Sequence, residues 1–267
     1  IRLIKSSVIK DSLLMEQLDS KFKKILILKK WVGLFQESHK MKVEFDLQSE
    51  KSKLLNKKLC KSAITVLKNT NNLPLNNFDS LKIACLSMGE GDGGVFYNRL
   101  NNYFPIDRFF FNNKNQDQKH DVIEKLSSYD IVIVGLHYLN NNFWDKHLFN
   151  DYEDNLIKKI SKNSKIIFNV FGHPRVINSL SDSYVDALIL SYQNSSIFQD
   201  LTAQLIFGSI SSDGRLPVEL NSFSEGSGLK VEKFRKLEFI YPLEAKMSQL
   251  NLNKIDSIVN YAIDNKM

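Results

Sequence analysis

The sequence predicts an α/β fold with an open, mainly parallel sheet and helices on both faces, of the flavodoxin-like type. Five short apolar runs follow one another between residues 82 and 191, at intervals that each leave room for one helix. The runs are apolar almost without interruption, which is the pattern of strands covered on both faces. The segments between and after them have apolar residues at helical spacing. Strand and helix therefore alternate along this part of the chain.

The first predicted strand is KIACLSMG, and DRFFF, DIVIVGL, KIIFNVFG and VDALILS follow, at 82–89, 107–111, 130–136, 165–172 and 185–191. The predicted helices span 95–103, 119–129, 152–161 and 197–207. A sixth strand is expected in GRLPVEL, residues 214–220. Because Pro217 cannot donate a hydrogen bond to a β-ladder, we expect this strand at the edge of the sheet.

Two more helices are expected before the sheet. The first, over 13–31, has apolar residues spaced by three and four, with Ser12 as its N-cap and Gly33 after its end. The second is expected over 51–68. The apolar residues of the first helix form one face, which would favour association if it is exposed; they are Leu14, Leu18, Phe22, Ile25 and Leu26.

The composition limits the size of the core and the classes of partner that we expect for this chain. A chain of 267 residues with 43% hydrophobic content can bury one sizeable core. Its net charge of +6 comes from scattered lysines without a basic patch, so no nucleic-acid partner is expected. No run reaches the roughly 18 apolar residues of a membrane span. Cys60 and Cys85 are flanked by apolar residues and are expected to be buried free thiols.

Ligands of parallel sheets bind beyond the carboxyl ends of the strands, so the loops there carry the candidate residues. After the first strand, Gly89, Gly91 and Gly94 fit the pattern G-x-G-x-x-G of phosphate-binding loops. The loop has no lysine, and Glu90 and Asp92 would repel a phosphate. Three interpretations stay open: a phosphate cradle, a turn with solvated carboxylates, and a sugar-facing or interface role for Glu90 or Asp92.

Histidines follow two other strands. His137 and His147 lie ten residues apart with Trp144 between them, but no second pair of metal ligands accompanies them, so no metal site is expected. His173, before Pro174, is a strand-end histidine that is more often hydrogen-bonded locally than catalytic. No catalytic residue and no cofactor are expected; the candidate substrate-binding residues are Glu90, Asp92, His137 and His173.

Three stretches together resemble a known family: KSAITVLKN at 61–69, KIACLSMG at 82–89 and LTAQLIFGSISSDGRLPVEL at 201–220. They are similar to the second domain of family 3 glycoside hydrolases, with matching positions at Ala203, Gln204, Phe207, Gly208, Gly214, Arg215, Leu216, Pro217 and Val218. In that family an α/β sandwich follows a (β/α)8 barrel. Helix 13–34 resembles the closing helix of the barrel, so the chain is expected to begin in the barrel's last turn.

The tail carries a second resemblance. GSGL at 226–229 and the segment from Leu237 onward resemble the joint of bacterial proteins in which a β-N-acetylglucosaminidase-like unit is fused to a β-lactamase-like serine hydrolase. The first helix of that second enzyme matches at Pro242, Met247, Leu252, Ile255, Asp256 and Ile258. Lys246 departs from the pattern, in which glycine is commoner.

The resemblance implies a retaining glycosidase whose aspartate nucleophile lies in the barrel. It further implies that the acid/base glutamate of the β-glucosidase branch comes from this second domain. In the acetylglucosaminidase branch, which the tail favours, a barrel loop supplies a His-Asp pair instead. The implied partners are the barrel of the same parent chain and, through it, an amino-sugar glycan, in the periplasm or cell envelope.

The domain organisation expected from this resemblance has four parts. They are terminal barrel helices at 1–35, a linker and helix at 36–78, the sandwich at 79–222 and an extension toward a second enzyme at 223–267. Two other functions stay open: a free-standing flavodoxin-like module that binds a small ligand, and a structural spacer without a ligand.

Overall fold

The computed structural model describes residues 2–35, 49–111, 118–138 and 149–266. The chain divides into two compact units, Ile1–Leu47 and Gln48–Met267. The first unit contains helices α1 (Arg2–Lys10) and α2 (Ser12–Trp31). Asp11, rather than the predicted Ser12, caps α2, because its carboxylate accepts hydrogen bonds from the amides at positions 13 and 14, at 2.9 and 3.3 Å.

The second unit alternates strands and helices as predicted. Its elements are α3 (Glu50–Ala63), β1 (Thr65–Asn69), β2 (Ile83–Gly89), α4 (Gly94–Tyr103), β3 (Asp107–Phe111), α5 (Gln118–Leu126), β4 (Ile131–His137), α6 (Asp151–Ile160), β5 (Lys165–Phe171), β6 (Ala187–Leu190), α7 (Ser196–Ile206) and α8 (Gln249–Asp264). Short 3₁₀ turns span Pro174–Ser179, Asp182–Tyr184 and Pro242–Ala245. No helix in the described ranges is long and apolar enough to cross a membrane.

The six strands form one sheet in the order β1-β6-β5-β4-β2-β3. Strands β2 to β6 pair in parallel, which confirms the predicted class and the five parallel strands. The register places Gly89, His137 and Phe171 side by side on β2, β4 and β5. The carboxyl ends of these three strands therefore reach the same edge of the sheet.

Both faces of the sheet are covered. Ile131 and Ile133 of β4 belong to the core beneath α4 and α7, whereas Val132 and Val134 belong to the core beneath α5 and α6. This period of two puts every second residue of a strand on the same face. Cys60 and Cys85 are buried free thiols, as predicted.

The edge strand differs from the prediction. Residues 214–220 form no strand, and the edge beside β6 is β1, which pairs with β6 antiparallel. The helical spacing predicts that residues 65–68 continue the preceding helix, but that helix ends at Ala63. Val66 and Leu67 are instead buried in opposite cores, as successive residues of a strand must be. Pairing with β6 outweighs the helical spacing of these residues.

Residues 212–216 pack against the junction between α3 and β1. Ser212 donates its hydroxyl hydrogen to the carbonyl oxygen of Ile64 at 2.6 Å. A Cβ on Gly214 would overlap that same oxygen and lie 2.8 Å from the carbonyl oxygen of Ala63. Gly214 is therefore required by the close approach of two backbones and not by the start of a strand.

Replacing Gly214 tests this packing. Gly214→Ala is expected to lower the free energy of unfolding by about 3 kcal/mol or more, because a backbone carbonyl must move to admit the methyl group. Gly226→Ala is the control, since nothing lies within 4 Å of its Cβ position. The loss expected for Gly226→Ala is about 1–2 kcal/mol, because alanine is strained in its left-handed backbone (φ 83°) and meets no neighbouring atom. Urea unfolding followed by circular dichroism measures both, and equal losses would contradict the assignment.

Candidate functional site at the carboxyl edge of the sheet

The residues that directly follow β2, β4 and β5 lie at one edge of the sheet. The amide of Glu90 donates to the carbonyl oxygen of His137 at 2.8 Å, and the amide of Tyr138 donates to that of Phe171 at 3.1 Å. These bonds extend the parallel ladder by one residue beyond the strands. The side chains that leave the sheet here stand where parallel sheets bind their ligands.

Two carboxylates project from the loop after β2. Glu90 and Asp92 are both exposed. Arg108 of β3 donates to the backbone oxygen of Asp92 at 2.7 Å, and its guanidinium lies 4.0 Å from the Asp92 carboxylate. The Asp92 side chain is 84% exposed, so this ion pair is screened by water and adds little stability.

The amino end of α4 already has its hydrogen-bond acceptors. The Asp92 carboxylate accepts from the amide of Gly94 at 2.9 Å, and the side-chain oxygen of Gln199 accepts from the amide of Phe96 at 3.1 Å. These are amides with which a phosphate at a helix terminus would form hydrogen bonds. The G-x-G-x-x-G pattern therefore does not produce an open phosphate cradle in this geometry.

His137 lies beneath the loop and is 0% exposed. Its Nδ1 is 2.9 Å from the side-chain oxygen of Asn194. The same oxygen also accepts a hydrogen bond from the side-chain nitrogen of Gln199 at 2.8 Å. Because an amide oxygen only accepts, Nδ1 carries the proton and Nε2 carries the lone pair. Burial lowers the pKa of His137, and the hydrogen bond to Asn194 only partly opposes that effect. The neutral imidazole is the favoured form.

Three buried polar atoms near this ring have no hydrogen-bond partner within the described ranges: Nε2 of His137, Oγ of Ser87 and Nδ2 of Asn169. Ser87 and Asn169 lie level on β2 and β5, on either side of Gly135 of β4. The imidazole folds back over Gly135, where an added Cβ would lie 2.7 Å from Nε2. A buried polar row thus crosses the sheet just below its edge.

Tyr138 and His173 also lie at this edge. Tyr138 lies over Gly172, and burial, followed by the charges of Glu153 and Glu90, raises the pKa of its hydroxyl. His173 is half-buried, and its Nδ1 accepts from the amide of Arg175 at 3.2 Å. Burial and the Arg175 charge both lower the pKa of His173. A local capping bond of this kind matches the expectation for a strand-end histidine.

The structure thus separates the four candidate residues. Glu90, Asp92 and His173 lie at the edge, whereas His137 lies below it without exposed surface. Tyr138 was missed, although its position directly after a buried strand was a usable signal. Trp144 and His147 lie outside the described residues. Within the described ranges, no three His, Cys, Asp or Glu side chains are grouped so as to hold a metal ion.

The sequence model of the glycosyl hydrolase family 3 C-terminal domain matches residues 64–254. This match covers most of the chain. The chain belongs to this family. The matched span includes every strand of the sheet and every candidate residue of the edge. Helix α3, which precedes the first strand, lies outside it. No curated protein sequence is significantly similar to the chain.

Solved structures of family 3 enzymes share the fold. A fungal multi-domain β-N-acetylglucosaminidase is 19% identical, with a TM-score of 0.53 over 67% of this chain and 20% of its own. A β-glucosidase from Listeria innocua is 17% identical, with a TM-score of 0.52 over 79% and 33%. An exo-β-xylosidase is 16% identical, with a TM-score of 0.50 over 62% and 25%. The chain therefore spans a third or less of the length of these enzymes.

Removing the Asn194 side chain tests the buried network. Asn194→Ala is expected to cost about 1–3 kcal/mol of unfolding free energy, because it removes the acceptor for two buried donors. Asn155→Ala is the matched control, since Asn155 makes one exposed bond to the backbone of α6. That variant is expected to change stability by less than about 0.5 kcal/mol. Thermal or urea unfolding measures both; an Asn194→Ala loss no larger than the control's would contradict the network.

Proposed function

We propose that this chain is the second domain of a family 3 glycoside hydrolase of the β-N-acetylglucosaminidase type, acting on amino-sugar glycans. Its role is to support the barrel and to present its carboxyl edge to the substrate bound there. The observation that carries the proposal is the pair of exposed carboxylates, Glu90 and Asp92, at the ligand-binding edge of a family 3 domain.

The edge has the chemistry to contact a sugar. Carboxylate oxygens accept hydrogen bonds from sugar hydroxyl groups, and charge-assisted bonds are about twice as strong as neutral ones. Glu90 lies close enough to Tyr138 for its charge to raise the pKa of the tyrosine hydroxyl. A carboxylate and a half-buried aromatic ring therefore stand together at the edge.

The same residues do not form a glycosidase centre of their own. Retaining hydrolysis of the usual kind uses two carboxyl groups on opposite sides of the scissile bond. Glu90 and Asp92 lie on one loop, and Asp92 is engaged by the amide of Gly94 and by Arg108. We therefore assign no catalytic residue to this chain and expect it to be inactive alone, with the nucleophile in the barrel.

The proposed branch and the domain boundaries rest on the sequence resemblance. Family 3 neighbours of this fold include a β-glucosidase and an exo-β-xylosidase, so the tail, not the fold, favours the acetylglucosaminidase branch. The apolar side chains of α2, Leu14 and Phe22 among them, suit a helix that closes a barrel. Helix α8, with exposed Ile255 and Ile258, suits the joint to a serine hydrolase, and the cell envelope is the proposed location.

The first test is activity. The purified 267-residue chain is expected to release no detectable p-nitrophenol from a p-nitrophenyl N-acetylglucosaminide, while circular dichroism shows it folded. The coding sequence upstream is expected to encode a (β/α)8 barrel. Turnover by the folded chain, or an upstream region without a barrel, would contradict the proposal.

The second test addresses the edge. In the polypeptide that includes the barrel, Glu90→Gln is expected to raise KM for the glycan about tenfold with kcat little changed, because one charge-assisted hydrogen bond to bound sugar is lost. Glu124→Gln on α5, away from the edge, is the control and should leave both constants unchanged. If Glu90→Gln and Asp92→Asn both behave like the control, the edge does not contact substrate and the domain is a scaffold.

A further inference from the structure

We propose that His137 is a positioning residue for the loop 89–94. In its neutral form it holds the loop, with Glu90 and Asp92, against the sheet, and its protonation releases the loop. The inference concerns only contacts between described residues, and it stands whether or not the domain serves a glycosidase.

Four glycines make room for His137, three of them for its side chain and one for its backbone. A Cβ on Gly93 would overlap Nε2 of His137, and a Cβ on Gly135 would lie 2.7 Å from the same atom. A Cβ on Gly91 would lie 3.2 Å from the Cβ of His137, and a Cβ on Gly89 would overlap its carbonyl oxygen. The glycines of the loop therefore fit the contour of His137, and the loop cannot lie here with larger residues.

Hydrogen bonds tie both ends of the loop to His137. At the first end, the amide of Glu90 donates to the His137 carbonyl. At the other end, Nδ1 of His137 donates to the side-chain oxygen of Asn194, which also accepts from the side-chain nitrogen of Gln199. The side-chain oxygen of Gln199 in turn accepts a hydrogen bond from the backbone amide of Phe96, in the first turn of α4. The backbone of His137 therefore holds the start of the loop, and its imidazole is linked through two side chains to the helix that follows the loop.

Protonation would place a hydrogen and a charge on Nε2, and the described groups around the ring are aromatic side chains and a neutral hydroxyl. The ring stacks on Phe171 at 4.7 Å and contacts the edge of Phe96 at 6.3 Å between ring centres. The hydroxyl of Ser87 lies beside the same Gly93 position, 2.8 Å from where its Cβ would stand. A neutral hydroxyl can accept one hydrogen bond but does not offset a buried charge.

Among the described residues, two charged groups act on the ring from its neighbouring elements. Asp92 on the loop favours the protonated form, and Arg108 on β3 opposes it. Glu90 is on the same loop, and its side chain points to the exposed edge near Tyr138. The Asp92 carboxylate is largely hydrated, so neither loop carboxylate compensates a charge on the buried ring.

The direction of the pH effect follows from burial. Burial holds the pKa of His137 below its ordinary value, whereas a solvated imidazole in the open loop returns toward about 6.5. The open state therefore binds the proton first. The closed loop is fully stabilised above about pH 6.5 and loses stability as the pH falls below that value.

Hydrogen exchange of the loop amides measures this opening. After correction for the intrinsic exchange rate, peptides covering 89–97 of the unmodified chain are expected to open at least about fivefold more at about pH 5 than at about pH 7.5. Peptides from β5 serve as the internal reference and should stay constant. His173→Gln, which removes the other edge histidine with a lowered pKa, should leave the pH effect intact.

Two variants separate His137 from other causes. His137→Gln is expected to abolish the pH dependence of opening. Asn194→Asp, which keeps the side chain's shape and adds a negative charge beside Nδ1, is expected to raise the pKa of His137 and to keep the loop closed at about pH 5. Equal opening at both pH values in the unmodified chain would overturn the proposal. So would an unchanged pH effect in Asn194→Asp, even if His137→Gln failed to fold.

Discussion

Burial of both faces of the parallel strands is the constraint from which the rest of this structure follows. Ile131 to Leu136 of β4 alternate between two cores, so apolar packing fills most of both faces, and the buried polar row of Ser87, His137 and Asn169 lies just below the carboxyl edge. That edge carries two carboxylates, a tyrosine and a histidine in an exposed or half-buried layer, and a second histidine beneath. Because apolar packing fills the middle of the sheet, the candidate functional residues lie at its carboxyl edge.

In the glycine-rich loop, the pattern G-x-G-x-x-G has a different role from the one it has in phosphate-binding loops. In a phosphate-binding loop, glycines let the backbone approach a ligand closely. Here Gly91 and Gly93 let the backbone approach His137, and the helix amides are satisfied by Asp92 and Gln199. The loop is thus shaped by an internal side chain, and its exposed surface is acidic.

The sequence was sufficient for the parallel strands and the helices between them, because local periodicity and apolar runs report burial directly. The sequence was insufficient at residues 65–69. Their apolar residues continue the helical spacing, but pairing with β6 makes this segment a strand. The sequence was likewise insufficient for the surroundings of His137. Its partner Asn194 lies 57 residues away, and no local pattern connects the two. Edge loops and buried polar contacts depend on tertiary neighbours, which periodicity does not encode.

The protonation state of His137 is the point on which this account depends most. Nitrogen-15 NMR of the imidazole at neutral pH distinguishes the two neutral tautomers from the cation and from each other. The account predicts a neutral ring with hydrogen on Nδ1, bonded to Asn194, and an unprotonated Nε2. A ring protonated at Nε2, or one that titrates at its ordinary pKa, would contradict it.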